Sequence, residues 1–179
     1  MVSNCVSLII PPSLFLLDQR VFPFLGILKV AASLEQKGYR VELLDLSGVA
    51  NFVEVVTTFA KMSVSPIFGI TVTTPQMPAA AEIIAAIRAA RSDARIILGG
   101  PHVTLVNSAA KREKKREVSS RATRAFQNLL ELTDVLVAGD GEFAVVEALA
   151  KDSPKIVDAD ERASPLFLTN TTLEETPWP

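Results

Sequence analysis

The sequence predicts a doubly wound α/β domain, with a five-stranded parallel sheet held between two layers of helices in an α/β/α sandwich. Three observations point there. Short apolar runs alternate with stretches whose apolar residues recur at helical spacing. The composition is 49% apolar but only 6% aromatic, so the core must be built from Val, Ile, Leu and Ala, as in a parallel sheet covered on both faces. The length, 179 residues, suits one domain that folds without disulfides or a structural metal.

The elements follow in order. Val6-Ser-Leu-Ile-Ile10, ended by Pro11 and Pro12, is the first strand. Ile27, Val30, Ala31 and Leu34 fall on one helical face, with Lys29, Ser33, Gln36 and Lys37 opposite and Gly38 in the stop position. Arg40-Val-Glu-Leu-Leu-Asp45 is the second strand. Phe52, Val55, Val56 and Phe59 mark the next helix, behind Asn51 as its N-cap. Ile67-Phe-Gly-Ile-Thr-Val72 is the third strand. Ala80, Ile83, Ile84 and Ile87 form the stripe of a helix whose last turn carries Arg88 and Arg91. Arg95-Ile-Ile-Leu98, the fourth strand, runs into Gly99-Gly-Pro-His102, and a fifth at 134–138 runs into Gly139-Asp-Gly-Glu142. A closing helix spans about 143–150.

Right-handed crossovers then give a flavodoxin-like strand order, 2-1-3-4-5. The domain is expected over 1–150. Residues 151–179 form a C-terminal tail or the start of an interdomain linker, with a short strand at 166–168. Residues 111–117, Lys-Arg-Glu-Lys-Lys-Arg-Glu, are dense in charge of both signs and are followed at helical spacing by Val118, Ala122, Ala125, Phe126, Leu129 and Leu130. They are expected to be the solvated start of the fourth helix, in preference to a nucleic-acid or partner-docking patch.

Charge and cysteine usage exclude several classes. A formal net charge of −2 gives no pull toward nucleic acid or anionic lipid. Cys5 is the only cysteine, so the chain cannot form an internal disulfide, nor a zinc site or iron–sulfur cluster from its own thiolates. A lone buried cysteine suits the reducing cytoplasm. The apolar stretch 6–17 is broken by prolines and lacks a basic leader, so it reads as strand and loop and not as a signal peptide. No run is long enough to span a membrane.

In an open parallel sheet, ligands bind beyond the carboxyl ends of the strands. After the third strand stand Thr71, Thr73 and Thr74, hydroxyls that suit either a helix cap or a ligand contact. After the fourth, Gly99 and Gly100 remove side chains where a bulky ligand could approach the backbone. After the fifth, Gly139 and Gly141 do the same, and Glu142 opens a helix where its charge suits the dipole. Three neighbouring strand ends cleared of bulk predict a long, flat ligand lying across the sheet edge.

Other α/β chemistries fail on the same positions. A phosphate-accepting receiver needs carboxylates where Pro11, Pro12 and Thr71 stand. A dinucleotide fold needs G-x-G-x-x-G after the first strand, and neither it nor a Walker lysine loop is present. There is no nucleophile elbow, and His102 is the one histidine available to a triad. No catalytic residue is assigned.

Gly99-Gly-Pro-His-Val-Thr104 followed by Val137-Ala-Gly-Asp-Gly-Glu142 resembles the N-terminal cobalamin-binding domain of radical S-adenosylmethionine enzymes. Pro23, Gly26 and Leu28 leading to Leu34, Glu35 and Gly38 extend the resemblance, as does Gly69-Ile-Thr71; it covers roughly 5–150 in the right order. Where that family commonly has Gly-Glu-Gly-Glu, Asp140 shortens one carboxylate.

The resemblance implies cobalamin as cofactor, with its corrin above the strand ends and its nucleotide tail running down into the domain. Thr71 and Thr73, in the Thr71–Thr74 cluster, would contact the tail or its benzimidazole. Gly99 and Gly100 would let it pass, Pro101, His102 and Val103 would shape one wall, and Gly139, Asp140, Gly141 and Glu142 the other. Mutases and methionine synthase carry Asp-x-His-x-x-Gly after the first strand to ligate cobalt; this chain has no histidine there. The benzimidazole is therefore expected to be off cobalt with no protein histidine in its place, His102 being badly located for a metal ligand.

The resemblance also implies a partner. Radical S-adenosylmethionine chemistry needs a Cys-x-x-x-Cys-x-x-Cys loop, which one cysteine cannot supply. The chain is thus expected to be non-catalytic alone, a module positioning the corrinoid for a radical S-adenosylmethionine domain, in cis or in trans, in methyl transfer. The tail ending Pro177-Trp-Pro179 resembles the linker before that domain. The competing expectation is a free-standing regulatory or protein-interaction domain that has lost the cofactor.

Overall fold

The computed structural model describes residues 4–20 and 23–178. β1 (Cys5–Ile10) is buried along its whole length, as its mainly apolar sequence requires, and its one polar side chain, Ser7, is hydrogen-bonded to Glu42 and Ser63. It is followed by α1 (Leu25–Gln36), β2 (Arg40–Asp45), α2 (Phe52–Met62) and β3 (Ile67–Thr71). A single 3₁₀ turn (Thr74–Gln76) leads into α3 (Met77–Ala90), then β4 (Arg95–Gly99) and α4 (Pro101–Lys115). After α5 (Arg121–Leu132) come β5 (Val135–Ala138), α6 (Gly141–Leu149), β6 (Ile156–Asp158) and the short α7 (Asn170–Glu174).

All pairings are parallel and the strand order is 2-1-3-4-5-6. The expected order is thus present, and a sixth strand extends it. Residues alternate between two cores. Ile9, Phe68, Ile70, Leu98 and Leu136 face α2 to α5. Val6, Leu8, Ile97, Val135 and Val157 face α1 and α6. The chain leaves β1 toward β2 on one side and returns to β3 on the other, so the crevice of the sheet lies between β1 and β3.

Three expectations need correction. The strand at 166–168 does not form; Leu168 is a buried loop residue, and the strand within 151–179 is β6, three residues on the sheet edge. The fourth helix begins at Pro101, which occupies the first helical position, where a missing N–H costs nothing. Residues 111–117 are therefore its C-terminal end, and α5 is a separate helix. Glu113 makes the break: its carboxylate accepts the backbone N–H groups of Ser120 (3.0 Å), Ala122 (3.1 Å) and Thr123 (2.9 Å), capping α5 from the end of α4. Asn51 precedes α2, but its side chain does not accept a capping bond; its amide donates to Glu54 (3.2 Å).

Cys5 is buried. Among the described residues no helix is long and apolar enough to cross a membrane.

Candidate functional site

A cavity of about 550 Å³ opens at the carboxyl ends of the central strands and continues down the face that α1 and α6 cover. That size lies within the roughly 300–1,000 Å³ typical of small-molecule sites. Its floor is the sheet itself. Leu8, Gly69 and Ile97 share one level of β1, β3 and β4, while Thr71 and Gly99 share the level above. Gly69 and Gly99 present no side chain to this face, and that is what leaves the space between sheet and helices. Ile27 and Val30 on α1 and Val145 on α6 make the apolar walls.

The turn glycines play a different part. Gly100 has φ +97°, and a Cβ there would lie 2.7 Å from Thr71 Oγ1 and 2.8 Å from the Val72 nitrogen. Gly139 has φ +90°, and its Cβ would lie 2.5 Å from the Ala159 carbonyl carbon. Both positions require glycine for the backbone path as well as for access. The rim is tied together by Thr104, whose hydroxyl accepts the Gly139 N–H (2.9 Å) and donates to the Gly100 carbonyl (3.3 Å).

Charge in the cavity has one sign. Asp140, Glu142 and Asp160 line it, and among the described residues no Lys, Arg or His does. Asp160 accepts a hydrogen bond from Ser108. Glu142 is only 5% exposed, and its nearest cation, Lys29 Nζ, is 4.0 Å away. Burial pushes the Glu142 carboxyl above the usual carboxylate range, with its own backbone N–H opposing the shift, Asp140 adding to it and Lys29 opposing it.

Of the sequence-derived residues, the cavity gathers Thr71, Gly99, Gly100, Pro101, Gly139, Asp140, Gly141 and Glu142. Thr73, Thr74, His102 and Val103 lie elsewhere. The 3₁₀ turn after β3 carries Thr73 away; its hydroxyl donates to Gln76 Oε1 (2.9 Å), and it borders a separate recess beside Phe15 and Phe24. Thr74 Oγ1 and His102 Nδ1 are 3.0 Å apart in one hydrogen bond, and burial holds the His102 imidazole below its ordinary range. Val103 is buried in the core on the opposite face of the sheet.

Sequence reasoning missed the floor and the late wall, where Leu8, Gly69, Ile97, Asp160 and Phe167 stand. A glycine inside a strand, as at Gly69, was the available signal. Among the described residues no cluster of His, Cys, Asp or Glu is placed to hold a metal ion.

An open parallel sheet with a cavity running from its strand ends to beneath two helices defines a doubly wound ligand-binding domain. Residues 19–130 match the model of the B12 binding domain, and the chain belongs to that family. Among solved structures it is similar to a radical S-adenosylmethionine methyltransferase, TsrM, from Kitasatospora setae, with tryptophan substrate and an S-adenosylmethionine analogue bound: TM-score 0.59, 20% identity, 82% of this chain and 25% of that one. A second structure of that enzyme, with cobalamin and a [4Fe-4S] cluster bound, gives TM-score 0.58 and 22% identity over 82% of this chain and 24% of that one. These likenesses are of fold, and the chain spans about a quarter of the enzyme's length. Comparison with curated proteins gives no match.

Proposed function

We propose that this chain is a cobalamin-binding module. The nucleotide tail would enter the cavity between the sheet and α1/α6, while the corrin would rest outside on the strand ends. The observation that carries this is the floor: Gly69 and Gly99 leave a deep, apolar-walled slot in a sheet that is otherwise packed on both faces.

Within that scheme Thr71, Gly99, Gly100 and Pro101 would border the tail on one side and residues 139–142 on the other. Bound cobalamin would supply a cobalt centre able to carry a methyl group, and the protein's part would be to position it. His102, the chain's one histidine, lies outside the cavity and is engaged by Thr74, which favours a benzimidazole-off cofactor without a histidine ligand. The partner we infer is a radical S-adenosylmethionine domain, in cis or in trans, since one cysteine cannot hold a cluster and the similar structures belong to such a methyltransferase. The buried lone Cys5 favours a cytoplasmic setting.

The test is a titration with hydroxocobalamin and methylcobalamin followed by visible absorption. Saturable binding with a shift toward the benzimidazole-off spectrum supports the module. Absence of binding at high micromolar ligand overturns it in favour of a domain that has lost the cofactor.

A further inference from the structure

Lys29 stands on α1 between Ile27 and Val30, two residues of the cavity wall, but does not itself line the cavity. Its side chain is only 14% exposed, and its ammonium joins two parts of the molecule. On one side it pairs with Glu142 of α6, whose Oε1 is 4.0 Å away. On the other it donates to the Leu173 carbonyl (2.9 Å) and lies over the Trp178 ring, 5.3 Å from its centre. Both belong to the segment that follows β6.

That segment is otherwise held by apolar contact. Leu166 packs against the core under α1 and α6, Phe167 lines the cavity, and Leu168 is buried. Its remaining hydrogen bonds are local: Thr169 caps α7 by accepting the Thr172 N–H (3.2 Å), and the Thr176 hydroxyl donates to the Leu173 carbonyl (2.6 Å). Among the described residues, the bond from Lys29 is the one hydrogen bond between 162–178 and any residue before 161. A segment with so few ties belongs to the part of a fold that opens locally, without global unfolding.

We propose that residues 166–178 are a strap along the cavity, latched by Lys29, and that its seating is coupled to occupancy of the cavity. The space of about 550 Å³ exists with the strap seated, so Phe167 completes a wall and does not take the ligand's place. A ligand in the cavity therefore favours the seated strap, and by linkage whatever draws the strap away weakens the ligand. Lys29 is a positioning residue that acts through the strap. The coupling rests on the cobalamin reading for its ligand, whereas the latch is a property of the free protein.

The test is limited proteolysis with chymotrypsin, which can cut after Phe167, Leu168 and Leu173 only when the strap is released. Wild type is compared with Lys29→Met, Lys29→Arg and Trp178→Ala, beside a thermal melt. Lys29→Met should speed these cuts by about tenfold or more, as for a lost hydrogen bond to a charged group, without new cuts elsewhere. Lys29→Arg, which keeps the charge and the donors, should restore the wild-type rate. Trp178→Ala leaves the Lys29–Glu142 pair in place and should speed the cuts by about two- to fivefold, so it decides the matter if Lys29→Met lowers global stability. Saturating hydroxocobalamin should slow cutting of wild type by about fivefold or more, at Leu173 as well as Phe167. Leu173 does not line the cavity, so its protection cannot come from direct shielding. Unchanged cutting in both Lys29→Met and Trp178→Ala overturns the latch. Loading that leaves Leu173 as open to cutting as before overturns the coupling. A wild type that does not bind cobalamin overturns the cobalamin reading and the coupling with it, and the free-protein comparison still upholds or overturns the latch.

Discussion

Gly69 and Leu8 are register partners on adjacent strands, and a Cβ on Gly69 would lie 2.8 Å from Leu8 Cδ2. The slot under α1 and α6 therefore exists because one residue of β3 has no side chain and its neighbour on β1 fills part of the vacated space. Gly99, one level higher, is different: a Cβ there would meet Val137 at 3.5 Å, an ordinary contact.

That difference selects the variant for blocking the cavity. Gly99→Leu should fold with little change in melting temperature, since its Cβ is accommodated and the rest of the side chain extends into open space. Cobalamin affinity should fall by roughly tenfold or more, the cost of forcing a ligand against added bulk. Visible titration beside a thermal melt checks both halves, and unimpaired binding would mean that the ligand does not enter between the sheet and α1.

Gly100 makes the opposite prediction. At φ +97°, with Thr71 Oγ1 and Val72 backbone atoms within 3 Å of an added Cβ, Gly100→Ala should destabilise the fold by about 2 kcal/mol or more, combining backbone strain with overlap. Urea unfolding of the free protein measures it, with no ligand present.

Gln76 holds the start of the β1–α1 loop. Its amide donates to the Pro11 carbonyl (2.9 Å) and Ser13 Oγ (3.0 Å), and its oxygen accepts the Thr73 N–H (2.9 Å). Gln76→Leu strands these groups and should cost about 1–3 kcal/mol, the usual penalty for a buried polar group without a partner. Hydrogen exchange should show faster exchange of the Thr73 amide, whose N–H loses its acceptor.

Glu113 sets a pH dependence. Bonds from the Thr123 hydroxyl and backbone N–H, then from Ala122 and Ser120, lower its pKa from 4.5 to about 2. A carboxyl held lower in the folded state than in the unfolded one stabilises fully above its unfolded value. The contribution should be present above about pH 4.5 and disappear as pH falls toward 2. In Glu113→Gln that part of the acid dependence should be missing; urea midpoints between pH 2 and 5 give the comparison, and overlapping curves would deny the cap.

The central strands were legible because they are buried on both faces and carry mainly apolar runs, bounded by Pro11 and Pro12 or by glycine. β6 was not, because only Val157 of its three residues is fully buried and so short an edge leaves no pattern. α4 was hidden by its opening, Pro-His-Val-Thr-Leu-Val, which is rich in β-branched residues, while the charged end drew attention to the wrong boundary. In the site, the strand-end glycines could be read along the chain. The floor could not, since only packing decides which face of a sheet lifts away from its helices. Thr73, Thr74 and His102 lie outside the cavity for a local reason: the 3₁₀ turn after β3 redirects the two threonines, and His102, in the first turn of α4, is hydrogen-bonded to Thr74.

The walls of the cavity are drawn from Leu8 at one extreme of the sequence and Phe167 at the other, with β3, β4 and α6 between. A molecule seated there works as a clasp joining segments that meet only when the whole chain has folded. Its binding free energy therefore adds to global stability and not to one local unit. Exchange protection on loading should rise in β1 and in the segment after β6 together, and an incompletely folded chain would have no partial site to offer.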